Sequence, residues 1–326
     1  MKFFKFFVLG MATWSALQSV EFPTSTQSSV PNIAIQTPDP AAESIHYDLS
    51  VYNGYITGIS KSIVYSYSGG KDLLSQLDWK LHNVLICGVK ASLSKAKIHI
   101  TFNGWMQAVS GCATMIDRDW TDPDQYNRLT HISWSPSELM RAHEVSAQIG
   151  YDVYQQKVKV NRLTIQSLAG WKYLDLYWES WGGIYHYENQ RGFFPNGLGI
   201  SFRQRFVVPY VGMQFEWLWN NKFRLNLFNK YSPSAYIASR DFHALRSTYF
   251  DHTFQDGQFW MVGGEFGWNF LSHMKLNLDY TFDLLTTTRG DDFIYNLEDA
   301  STCIYPNGVG LYHNHHKFIL DLSRSF

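Results

Sequence analysis

From Met274 to Leu284 apolar and polar residues take turns along the chain. Met274, Leu276, Leu278, Tyr280, Phe282 and Leu284 are set against Lys275, Asn277, Asp279, Thr281 and Asp283. Successive side chains of a strand point to opposite faces, so this pattern predicts a strand with one apolar and one polar face. The alternation recurs at Ile98, Ile100 and Phe102 against Lys97, His99 and Thr101, and at Phe223, Leu225 and Leu227 against Arg224, Asn226 and Phe228. Polar breaks at Thr121–Asn127, Glu188–Gly197 and Thr287–Asp292 divide the strands, and no helical periodicity lies between them. The expectation is an all-β, single-domain fold running from residue 45 to residue 326. A water-soluble sandwich alternates as a barrel does, and periodicity alone leaves both open.

The two ends of the chain change that balance. Residues 1–19 carry Lys2 and Lys5, then a short apolar stretch, then Ser15, Ala16 and Ser19, the layout of a cleavable secretory signal. The apolar stretch is far shorter than the ~20 residues that span a bilayer as a helix. Residues 20–44 are rich in Ser, Thr, Pro and Gln without periodicity and read as a flexible lead-in. At the other end, Phe318, Leu320, Leu322 and the terminal Phe326 share one face, as in the last strand of an outer-membrane barrel. Composition agrees with export to a membrane. Aromatic residues make up 17% of the chain, yet the mean hydropathy is only -0.23. A barrel produces that combination by placing aromatics toward lipid and polar residues toward the lumen. The expected architecture is therefore a transmembrane antiparallel β-barrel with long extracellular loops. A net charge of -1 offers no basic face for nucleic acid. Cys87, Cys112 and Cys303 are an odd set without CxxC spacing, so at least one stays unpaired within the chain and no zinc site is indicated.

Two short clusters could carry chemistry. Asp117 and Asp119 stand two positions apart at a strand end, which puts both carboxylates on one face. Like charges held close raise one pKa or demand a proton, water or cation between them; a solvated loop edge would show the same spacing. Asp241 and His243 repeat the spacing with a carboxylate beside an imidazole, an arrangement that suits a general base and that an accidental surface pair also produces. His313, His315 and His316 form a third group, for which a strand-surface role is expected and no metal is assigned. Neither a G-x-S-x-G elbow nor a glycine-rich phosphate loop is present.

Several segments in order resemble the omptin family of outer-membrane proteases: Ser75–Lys80 (SQLDWK), Asp117–Trp120, Phe194–Gly197, Gln204–Phe206 with Pro209 and Tyr210, Asp241–His243, and Asn307 with Gly308. The resemblance runs from about residue 45 to Phe326. It implies a narrow barrel of ten strands rising above the membrane, with an endopeptidase groove at the extracellular mouth. It places the family's catalytic carboxylate pair on Asp117 and Asp119 and its Asp–His dyad on Asp241 and His243, acting through an activated water on polypeptide substrates without a covalent intermediate. It also places the family's acidic substrate-pocket positions on Ser62 and Ser239. Serine cannot neutralise a buried base, so a preference for cutting between two basic residues is not expected. The family's lipopolysaccharide requirement rests on outward basic residues. Arg205 keeps one such position, while Asp175 and Gln255, with Trp171 and Tyr173 nearby, stand at others, so the phosphate-binding set is depleted. No cofactor other than this lipid is implied. A surface adhesin on the same scaffold and a diffusion pore are the competing readings, the second disfavoured because narrow barrels fill their interior with side chains.

Overall fold

The computed structural model describes residues 44–326 apart from 67–71, 123, 126 and 127. The expected signal segment lies outside the described residues, as does all of the lead-in except Ser44. Thirteen strands follow in order: β1 (Ile45–Tyr65), β2 (Leu73–Lys95), β3 (Ile98–Gln107), β4 (Gly111–Asp119), β5 (His131–Val158), β6 (Asn161–Trp181), β7 (Ile184–Tyr187), β8 (Gln190–Phe193), β9 (Leu198–Trp219), β10 (Phe223–His243), β11 (Thr248–Leu271), β12 (Met274–Asn296) and β13 (Thr302–Ser325). Each long strand pairs antiparallel with its neighbours, and β1 pairs with β13 from Asp48↔Ser325 to Val64↔Val309, which closes the ring. β3 and β4 both lie between β2 and β5, so they stack end to end as one stave. β7 and β8 form a hairpin outside the ring, pinned to the start of β5 by pairing of Ile184–Tyr187 with His131–Trp134. The ring therefore has about ten staves.

The direction in which the polar face points separates a barrel from a sandwich. On β12 the polar residues Asn277 and Asp283 are buried, while Leu278 and Tyr280 of the apolar face are exposed. The same inversion holds for β1, where Val51 is 57% exposed and Ser50 is buried, and for β13, where Leu320 is 51% exposed and Asp321 is buried. A chain that shows its apolar side outward over such a belt is built for lipid. Aromatic side chains border the belt at both levels. Trp217, Trp219, Phe223 and Phe266 stack near the tight turns at one end, and Tyr55, Phe318 and Tyr280 cluster higher up.

Above the belt the barrel continues with a different interior. Trp79, Trp178, Phe202, Phe206, Phe254 and Phe259 are fully buried and fill the upper lumen. The change of phase is made by bulges at mid-height. On β10 the inward positions are even-numbered up to Ser232; register shifts against both neighbours follow, and Ala235, Ile237, Ser239 and Asp241 are then the buried ones. An extra residue in one strand reverses which parity faces inward. Pro233, which can give no ladder hydrogen bond, falls within this irregularity. On β12 the predicted break at Thr287–Asp292 is not a loop: the strand runs through it, with irregularities after Leu285 and Gly290. Its polar residues are there because Thr288 and Asp292 face the lumen.

Candidate active site

Asp117 and Asp119 close the upper end of β4, where Asp117 pairs in register with Leu77 and Ser133, and Asp119 with Ser75 and His131. Their parity follows from the buried Ala113 and Met115, so both carboxylates face the mouth of the lumen. The bulge on β10 does the same for Asp241 and His243: without the reversal of parity both side chains would point outward. Asp241 is buried, and its Oδ2 lies 3.3 Å from His243 Nε2. The imidazole packs on Phe250 with ring centroids 4.9 Å apart. Asp241 Oδ1 has no hydrogen-bond partner among the described residues. The expected pairs are thus both present and both turned into the same mouth.

The two pairs also sense each other electrostatically. Burial first and the Asp119 charge second push the Asp117 carboxyl up to about 7, against a downward pull from His243 and Arg246. Ser75 Oγ donates to Asp117 Oδ1 at 3.4 Å. A carboxylate pair in this state holds a proton near neutrality and can both donate and accept hydrogen bonds.

Sequence reasoning missed the wall around this pair. Tyr187, at the end of β7, stands close enough that burial, Asp117 and Asp119 together push its phenol up to about 12. Its ring meets His131 edge-on at 4.6 Å and packs against Tyr185 at 4.7 Å, and Phe194 joins the cluster. Arg246 ends the 3-10 turn Ala244–Arg246 directly after His243. The available signal was the density of aromatics around the polar break after Tyr187, which marks a packed hairpin rather than a solvated loop.

Below the mouth the two expected pocket residues are present and inward. Ser62 and Ser239 are both buried, Ser239 one inward step beneath Asp241 on β10. Ser239 Oγ lies 3.1 Å from His252 Nδ1, and His252 Nε2 lies 3.3 Å from Asp292 Oδ1. Nearby, Ser60 Oγ donates to Gln204 Oε1.

The histidine group differs from expectation. His313 and His315 are buried in the lumen, because the polar face of β13 points inward; they do not lie on a strand surface. His315 Nε2 lies 3.1 Å from Asp283, and Glu144, Asp283 and His315 each bring a ligand-type atom within 4.8 Å of the others. Lys172 bonds Asp283 and approaches Glu144 at 3.5 Å, while Lys317 bonds Glu144 at 3.0 Å, so two ammonium groups already supply the positive charge there. Cys87, Cys112 and Cys303 are all free thiols.

On the outer face Arg205 is exposed, and no ion pair engages it among the described residues. Asp175 is buried beneath a guanidinium fork from Arg203, with N···O distances of 3.0 and 2.7 Å, and Arg141 lies 3.6 Å away. Arg240 is engaged bidentately by Asp251. Trp171 and Gln255 are exposed.

Comparison with known proteins gives the same frame. Residues 42–326 match the model of the Omptin family. Protease 7 of Escherichia coli O157:H7 is 28% identical over 290 residues, covering 84% of this chain and 87% of that protein. The plasminogen activator of Yersinia pestis is 25% identical over 287 residues, covering 86% of each. The crystal structure of the outer membrane protease OmpT from Escherichia coli superposes with a TM-score of 0.80 at 23% identity, covering 86% of this chain and 97% of that one, which supports the fold. A family match over the whole described barrel, on a lipid-belted ring of strands, establishes that this chain belongs to the Omptin family of bacterial outer-membrane proteases.

Proposed function

We propose that the chain is an endopeptidase that hydrolyses extracellular polypeptides with a water molecule activated between Asp117–Asp119 and Asp241–His243. The observation that carries this reading is the opposition, at one open mouth, of a proton-holding carboxylate pair and a carboxylate-backed imidazole. His243 takes a proton from the water as its oxygen attacks the peptide carbonyl, and Asp241 stabilises the imidazolium that forms. The proton held by the Asp117–Asp119 pair hydrogen-bonds the developing oxyanion. His243 then returns its proton to the leaving amine, so no acyl-enzyme forms and the proton balance closes.

The reading includes a specificity unlike a dibasic one. Ser62 and Ser239 carry no charge to offset a buried Arg or Lys side chain, and an unpaired buried charge is costly. It also includes a weak demand for lipopolysaccharide. Arg203 and Arg240 are engaged by Asp175 and Asp251, which leaves Arg205 as the uncommitted guanidinium of that group for a lipid phosphate.

The test is digestion of an unbiased peptide mixture by refolded protein beside Asp117→Ala and His243→Ala, with cut sites read by mass spectrometry. Loss of a general base is expected to lower kcat by about 10²–10⁴-fold in His243→Ala. Undiminished cutting by either variant would overturn the mechanism, and strong selection for Arg or Lys beside the cut would overturn the specificity. Wild type that cuts nothing, with and without lipopolysaccharide, would make the barrel a binding protein. Equal activity with and without the lipid would remove the lipid requirement.

A further inference from the structure

Beneath the proposed catalytic pairs, Ser239, His252 and Asp292 form a buried line across the inner face of the barrel wall. Three adjacent staves supply them: Ser239 on β10 is paired in register with His252 on β11, which is paired with Asp292 on β12. All three are at least nine-tenths buried. Bulges on β10, β11 and β12 give each its inward parity. Asp292 is the unusual member. Neither of its oxygens has a hydrogen bond among the described residues, and the one ion-pair contact it makes there is with His252 Nε2 at 3.3 Å. A buried carboxylate in that state is costly and favours a hydrogen-bond donor aimed at it.

Resting on the protease reading above, we infer that His252 is a specificity-determining residue that occupies the place of a basic substrate side chain. Its ring stands between Asp292 and Ser239 and leaves Ser239 as the group presented below Asp241. A carboxylate only accepts hydrogen bonds, so the ring hydrogen belongs on Nε2, toward Asp292, and Nδ1 is left to accept from Ser239 Oγ. The serine hydrogen is then committed inward, and the lone pairs of its oxygen face the lumen. A peptide lying between Asp117–Asp119 and Asp241–His243 drops one side chain toward Ser239, the next inward residue below Asp241. That side chain is best matched by an uncharged donor, such as a carboxamide or a hydroxyl. An arginine or lysine would displace nothing and meet no free anion. The negative charge that could select a base is thus retained in this barrel two staves away on β12, with the His252 ring set between it and Ser239.

Removing the imidazole is expected to unmask the charge. The probe is benzamidine, an aryl amidinium that resembles an arginine head group. Its binding to the refolded full-length barrel is measured by equilibrium dialysis, with folding of each variant checked by its mobility on unheated gels. Wild type and Asp292→Asn are expected to bind it weakly. His252→Ala is expected to bind at least ten-fold tighter, and His252→Ala/Asp292→Asn to lose the gain. His252→Ser, which keeps a hydrogen-bonding partner for Ser239, serves as a second unmasking variant. Tight binding by wild type overturns the inference, as does equal weak binding by wild type and the folded His252 variants. Binding needs no turnover, so it stands apart from catalysis. Cleavage-site profiling of the same proteins reads the protease proposal: new cuts beside Arg or Lys in His252→Ala support both, while absent cleavage with the benzamidine pattern intact overturns the protease reading alone.

Discussion

Asp117 is the residue whose surroundings most limit what the mouth can do. Its carboxyl titrates near 7 because burial and Asp119 outweigh His243 and Arg246, so the pair keeps a proton through neutrality and loses it as pH rises further. Hydrolysis that uses this proton should fall on the alkaline side of about 7. Asp119→Asn removes the neighbouring negative charge and with it part of the upward push, so the alkaline limb of the pH–rate profile should move to lower pH. An unmoved limb would mean that some other group supplies the proton. Stability follows with a definite sign. A carboxyl whose folded pKa lies above its ordinary 3.8 binds its proton more tightly in the folded state, so its contribution is whole below about 3.8 and is lost as pH climbs through about 7. Asp117→Asn should therefore flatten the loss of stability between pH 5 and pH 8, which denaturant unfolding of the two proteins at both pH values would measure.

At the scale of elements, the hairpin β7–β8 is the part of the rim that faces the carboxylate pair. Tyr187 joins it to His131 and Tyr185 through aromatic contacts, each of a kind worth about 0.5–1.5 kcal/mol. Tyr187→Ala opens one wall of the mouth to water and relieves the burial that raises Asp117. The expected result is a rise in KM together with a shift of the alkaline limb to lower pH; a change in KM alone would limit Tyr187 to substrate contact. This hairpin was read from the sequence only as a polar break, and the reason is general to the fold. Alternation is local and therefore visible: it gave the strands, and with the C-terminal aromatics it gave the barrel. Bulges are not visible in that way. A period-two count carried up β10 from Asn226 places Asp241 and His243 on the lipid side, and only the irregularity around Pro233 turns them inward. Their spacing marked them as a candidate pair, and the ordered resemblance of several segments is what implied a catalytic role for them. For the same reason Thr287–Asp292 looked like a loop, when it is a stretch of β12 whose polar side chains face the lumen.

The whole molecule divides into a lipid-belted lower barrel with a charged interior and an upper barrel filled by aromatics. Where the two meet, the cross-brace among Lys172, Asp283, His315, Glu144 and Lys317 ties β5, β6, β12 and β13 together across the lumen. Lys172 and Asp283 are 111 residues apart in sequence, and nothing local to either announces the pair. Every member is buried, so each charge depends on the others rather than on water. Whether such a network stabilises the fold relative to an apolar filling is a separate matter from what happens when one member is removed: the first exchange is often neutral, while the second strands a charge. Lys172→Met leaves Asp283 and Glu144 with less positive charge between them, and the expected cost is about 3–5 kcal/mol in urea unfolding from detergent micelles. Lys172→Met combined with Asp283→Leu removes the stranded carboxylate and should recover most of that loss. A single variant as stable as wild type would show that lumen water, not the brace, carries the charge on Asp283. A double variant no better than the single one would show that the brace holds the four staves by its geometry and not only by charge balance.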